Sequence, residues 1–110
     1  QTLIIDGAPR HLPQVTWLGT FLKDHFAGVS AFGIRLEVAE AELRRRAGER
    51  KRSDDEVAAF EHRLEIYRND IVPALDALKE IMPVFAVSGE GAVAQIHHQI
   101  VQTLEKEGRI

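Results

Sequence analysis

The residues most able to do chemistry are an acid and an arginine at the end of a short apolar run. Leu3-Ile4-Ile5-Asp6 runs into Gly7-Ala8-Pro9-Arg10, so three apolar residues meet an acid, a glycine–proline break and a guanidinium. An apolar run closed by turn residues reads as a buried strand. At the carboxyl end of a parallel strand such residues stand where ligands bind. Asp6 could orient a metal ion's water there, and Arg10 could grip a phosphate. The plainer alternative is a strand ending in a type I or II turn with two solvated charges.

More guanidiniums follow. Arg44, Arg45, Arg46, Arg50, Lys51 and Arg52 crowd into residues 44–52, and Arg63 comes later. Arg46 and Arg50 share a helix face. Arginine's planar fork matches phosphate oxygens two at a time. Phosphoryl transfer asks for positioning and for positive charge where negative charge spreads, which arginines from separate segments can supply. Two other readings stay open here. The cluster can be a solvated helix end pairing with Glu42, Glu49 and Asp54, or a nucleic-acid patch. The patch lacks interleaved aromatics, since Phe60 and Tyr67 fall on a core stripe.

The elements that must position these groups alternate between strand and helix. Val15, Leu18, Phe21, Leu22 and Phe26 recur at helical spacing, with Pro13 in the first turn and Ala27-Gly28 as the stop. Ala31 to Val38 reads as a second strand. Glu40 and Glu42 open the next helix with the sign its dipole prefers, and the arginines close it. Ser53-Asp54-Asp55-Glu56 is a capping box. The long helix it starts carries Val57, Phe60, Leu64, Tyr67, Ile71, Leu75 and Leu78, and Pro73 inside it predicts a kink or break. Pro83 to Val87 is a third short strand, Ser88-Gly89-Glu90-Gly91 a loop, and Val93, Ile96, Ile100 and Leu104 a last helix ended by Gly108. The pattern predicts an α/β fold with a parallel sheet. Trp17 and Tyr67 are assigned to the core.

The bulk numbers set bounds. The 110 residues suffice for one domain and one modest core. Hydrophobic content of 45% and charged content of 28% fit a globular protein. No apolar run approaches the roughly 20 residues that span a membrane. There is no cysteine, which excludes disulfides, thiolate catalysis and cysteine-bound metal. Net charge of −3 argues against broad nucleic-acid binding. His97 and His98 are adjacent and face different ways, a poor metal geometry, and His11, His25 and His62 show no ligand spacing with any acid. The first residue is Gln, and the first strand begins almost at once, which suggests a piece of something longer.

The order of these motifs carries a resemblance. Asp6-Gly7-Ala8-Pro9-Arg10, then Gln14, then Arg46-x-x-x-Arg50, then Arg52-Ser53-Asp54-Asp55, then Arg63-Leu64-Glu65-x-Tyr67, then Gly89-Glu90-Gly91 before a last helix resembles the C-terminal part of adenylate kinase. The resemblance covers essentially the whole chain, 1–110. It implies part of a parallel-sheet P-loop nucleoside-monophosphate-kinase fold, three layers α/β/α, with a minimal lid at 51–53. It implies reversible transfer of the ATP γ-phosphoryl group to AMP, giving two ADP, with Mg2+ accompanying ATP. Gly7, Ala8, Pro9 and Arg10 would line the AMP site, with Arg10 holding its phosphate. Gln14 would read adenine; related pyrimidine kinases carry a different residue there, so Gln14 favours AMP. Arg46 and Arg50 would contact ATP, and Arg52 and Arg63 would bridge the phosphates of both nucleotides. Arg50, Arg52 and Arg63 would thus be catalytic. Gly91 would border the ATP adenine, and Asp6 would lie in the outer shell of the magnesium ion, with no residue binding metal directly. The expected partners are ATP, AMP and ADP, without nucleic acid or membrane, in a cytoplasmic protein that is a monomer when intact.

Three departures qualify this. Ala8 replaces the family's aromatic residue. Only Lys51 separates Arg50 from Arg52, so the lid is cut to almost nothing and lacks zinc-binding cysteines. No G-x-x-x-x-G-K-[ST] occurs, nor the AMP-binding helical segment that follows it in the family. The expectation is therefore a fragment of an intact kinase, inactive alone, whose missing strand would lie between residues 3–6 and 32–38. The alternatives are a degenerate domain in which those two strands pair directly, a nucleotide-binding module without catalysis, and a structural domain whose arginines pair with acids.

Overall fold

The computed structural model describes residues 2–49 and 54–110. The elements in chain order are α1 (Leu12–His25), β1 (Gly33–Glu37), α2 (Glu40–Glu49), α3 (Asp54–Ile66), a π-helical turn (Tyr67–Ile71), α4 (Val72–Leu78), β2 (Val84–Ser88) and α5 (Val93–Lys106). They form two compact units, Gln1–Ala31 with Glu61–Pro83, and Phe32–Phe60 with Val84–Ile110.

In the first unit α1 packs on α4. Val15 and Leu18 of α1, Leu64 of α3, and Ala74 and Leu78 of α4 are buried. Burying each leucine contributes about 1.5–3 kcal/mol relative to leaving it exposed. Pro13 lies in the first turn of α1, where its missing N–H costs nothing. The long helix breaks as Pro73 predicts, by widening into a π turn. The Val72 N–H reaches back to the Tyr67 carbonyl, five residues earlier. Pro73 has no N–H to give and its ring crowds the preceding turn, so the turn before it opens.

Two expectations fail in this unit. Residues 3–6 form no strand, and Leu3, Ile4 and Ile5 are all exposed. An apolar run is only a potential strand. It needs a neighbour to take its N–H and C=O groups and a layer to bury its side chains, and the described residues supply neither. Trp17 is not in the core but 61% exposed. At 100° per residue it falls outside the stripe of Val15, Leu18 and Leu22 that faces α4. Tyr67 is half-buried.

In the second unit β1 and β2 pair in parallel, from Gly33 opposite Val84 to Glu37 opposite Ser88. Among the described residues the sheet has only these two strands. α5 packs on β2, and Val87 is buried. The Arg109 guanidinium lies 5.5 Å from the Phe32 ring centre and 5.8 Å from that of Phe85, closing one end of this small core by cation–π attraction. Ile34 and Leu36 of β1 remain exposed. The protein is thus mixed α/β with a two-stranded parallel sheet.

Candidate functional site

Gly7, Ala8, Pro9, Arg10 and Gln14 come together in one turn of the first unit. Gly7 has φ +80°, a conformation that side chains rarely adopt, the Ala8–Pro9 peptide is cis, and Pro9 is buried. The Arg10 Nε–H donates to the Gly7 carbonyl at 2.8 Å, which folds the guanidinium back over its own turn. The Arg10 backbone N–H donates to Gln14 Oε1 at 2.6 Å. His11 caps α1 with no side-chain hydrogen bond, so Gln14 in the first helical turn supplies the reach-back contact instead. Asp6, just before the turn, is exposed. Arg63 is exposed on α3 beside buried Leu64.

The second unit holds Arg46 and Gly91. On α2, Arg46 Nε donates to Glu42 Oε1 at 3.0 Å. Arg45 grips the same carboxylate with both Nη2, at 2.6 Å, and Nε, at 2.9 Å, and also pairs with Glu49. Hydrogen bonds from Arg45 first, and from Arg46 second, hold the Glu42 carboxyl at about 2, well below its ordinary value. The Arg45 guanidinium is pushed up in turn by Glu42. Arg44 lies 3.7 Å from Glu40. Pairing of the arginine cluster with acids on its own helix is therefore seen, at (i, i+3) and (i, i+4) spacings legible in the sequence. Arg50 and Arg52, with the lid at 51–53 and the Ser53 cap, lie outside the described residues.

The loop after β2 is tied to β1. The Gly89 N–H donates to the Glu37 carbonyl at 2.8 Å, and the Ala39 N–H donates to Glu90 Oε2 at 3.3 Å. Gly91 has φ +106°, and a Cβ there would meet Gln95 Oε1 at 2.7 Å. That same oxygen accepts the Ala92 N–H at 3.0 Å at the start of α5. Gln95 was not singled out by sequence, and Glu90 only as part of the Gly89-Glu90-Gly91 loop. Gln95 could have been, as a glutamine in the first turn of a helix that lacks a polar cap residue. Between β2 and α5 lies an open depression of about 340 Å³, lined in part by Ser88, Gln99, Thr103 and Lys106. Among the described residues no three His, Asp or Glu side chains gather as a metal site. No helix among them is long and apolar enough to cross a membrane.

No family model matches the chain, and no solved structure does. Curated proteins do match. The adenylate kinase of Bifidobacterium longum is 33% identical over 105 residues, 93% of this chain and 56% of the relative. Adenylate kinase 1 of a Nostoc strain is 29% identical over 101 residues, 92% of this chain and 54% of the relative. The adenylate kinase of Prochlorococcus marinus MIT 9303 is 32% identical over 101 residues. The chain is thus similar to curated adenylate kinases over nearly its whole length. It spans about half the length of the curated relatives it matches. Coverage of 92–93% means that the adenylate kinase likeness extends over both units rather than over one local motif.

Proposed function

We propose that the chain is the C-terminal part of an adenylate kinase, working with the rest of the fold to transfer the ATP γ-phosphoryl group to AMP. The single observation that carries this reading is the likeness to proteins named adenylate kinase over more than nine-tenths of the chain. In the reaction an AMP phosphate oxygen attacks the γ-phosphorus, the bond from that phosphorus to the β-bridging oxygen breaks, and two ADP result. Arg10 holds the AMP phosphate, and Gln14 reads adenine. Arg46 and Arg50 hold ATP, while Arg52 and Arg63 offset charge on the transferring group, with Gly91 bordering the ATP adenine. A magnesium ion arriving with ATP would supply further charge neutralisation. The exposed Asp6 carboxylate would hold such an ion through a bridging water.

The finer architecture belongs to the same reading. It is a three-layer P-loop fold over 1–110 and an upstream part, with a minimal lid at 51–53, in a cytoplasmic monomer whose partners are nucleotides. The exposed Ile34 and Leu36 lie on one face of β1 and support a further layer covering that face, because apolar residues left to water add little stability. A second reading, monophosphate binding without transfer, is favoured by one observation: the Gly7–Gln14 turn is held by hydrogen bonds of its own.

Isothermal titration calorimetry of the chain with AMP and UMP tests the proposal. AMP should bind more tightly than UMP. Arg10→Ala should weaken AMP about 10- to 100-fold, as expected when hydrogen bonds to a charged group are lost. Equal affinity for AMP and UMP, or an Arg10→Ala variant that binds AMP like the parent, would count against it.

A further inference from the structure

Trp17 is the unabsorbed feature of the first unit. It is the chain's one tryptophan, and it stands 61% exposed on α1. A tryptophan ordinarily buries much of its large surface, so an indole left this open stands out. It is also held in place. Its ring stacks on Phe21 with centroids 4.9 Å apart and planes within 16°. Phe21 in turn meets His25 at 5.0 Å and Phe26 at 5.5 Å. One indole face is therefore backed by a row of rings, while the residue as a whole stays largely open to solvent.

Gln14 lies one helical turn before Trp17, and residues three apart are neighbours on a helix surface. Side chains lean toward the helix N-terminus, which carries the indole toward the Gln14 turn. The Gln14 carboxamide is fixed because its oxygen takes the Arg10 N–H, and that leaves the two N–H donors on its other arm. A flat apolar face, an oriented amide donor and a guanidinium thus follow one another within residues 10–17. A purine offers a π face and ring-nitrogen acceptors, and its nucleotide adds a phosphate.

We infer that the open face of Trp17 stacks on the base of the bound purine monophosphate, making it a specificity-determining residue next to Gln14. The inference rests on the reading that the Arg10 turn takes a nucleoside monophosphate, and it names the group that grips the base. Stacking is sequence-tolerant but scales with ring size, so Trp17 would favour purine over pyrimidine while Gln14 selects among purines.

The indole is its own reporter. AMP added to the chain should quench Trp17 fluorescence, and ribose 5-phosphate, which lacks the base, should not. By calorimetry, Trp17→Leu should weaken AMP about 5- to 150-fold, the worth of one base–aromatic stack. Trp17→Phe should recover most of that loss, and both variants should keep the parent's helical circular dichroism. If AMP binds by calorimetry while fluorescence is unmoved and Trp17→Leu binds equally well, the platform is refuted and the monophosphate site stands. If ribose 5-phosphate quenches as AMP does, the platform is refuted as well. If AMP releases no heat and causes no quenching, the site itself falls, and the platform with it.

Discussion

Gly91→Ala tests how the β2–α5 loop is held. Gly91 sits at φ +106°, where a residue bearing a Cβ is strained by about 1–3 kcal/mol. The new methyl would also land 2.7 Å from Gln95 Oε1. That oxygen is the end of a flexible side chain and can swing away, but it then releases the Ala92 N–H, which it accepts at 3.0 Å. Losing a helix cap costs about 0.5–2 kcal/mol. The two together give about 1.5–5 kcal/mol of destabilisation, large beside the total stability of a small domain. Urea unfolding followed by circular dichroism should show a lower midpoint with an unchanged slope. Gln95→Ala removes the cap alone and should cost only that smaller part. Because the cap can be lost only once, the double variant should be less destabilised than the two singles summed. Full additivity, or a Gly91→Ala unfolding free energy within about 0.5 kcal/mol of the parent, would refute the account.

Neighbouring residues on α3 should separate structure from function. Leu64, 5% exposed, should cost about 2–5 kcal/mol as Leu64→Ala, whereas exposed Arg63→Ala should change the unfolding free energy by no more than about 0.5 kcal/mol. Equal losses would overturn the burial argument. Glu42 should respond to acid in a set direction. Its carboxyl is held at about 2 when folded against an ordinary 4.5, so the unfolded chain binds the proton first. Its stabilising contribution is fully present above about 4.5 and fades as the pH falls toward 2. Parent and Glu42→Gln should therefore converge in stability across that window, and NMR titration of the Glu42 carboxyl should show the low midpoint. A midpoint near 4.5 would mean that Arg45 and Arg46 do not hold it in solution.

The sequence by itself determined what depends on neighbours a few residues away. Helix and strand periods, the parallel pairing implied by their alternation, the break before Pro73, and the Glu42–Arg45–Arg46 pairs all follow from local spacing and chemistry. The family likeness was legible too, because motif order needs no coordinates. Only the tertiary structure decided matters that turn on distant partners. Leu3 to Ile5 had the composition of a strand but found no neighbour to complete its hydrogen bonds. Trp17 had a core residue's chemistry but lay off the face that α4 covers. The arginines of α2 were equally able to reach outward or to pair at home, and among the described residues they pair with Glu40, Glu42 and Glu49. A side chain's type sets what it can bind, whereas the packing around it decides what it meets.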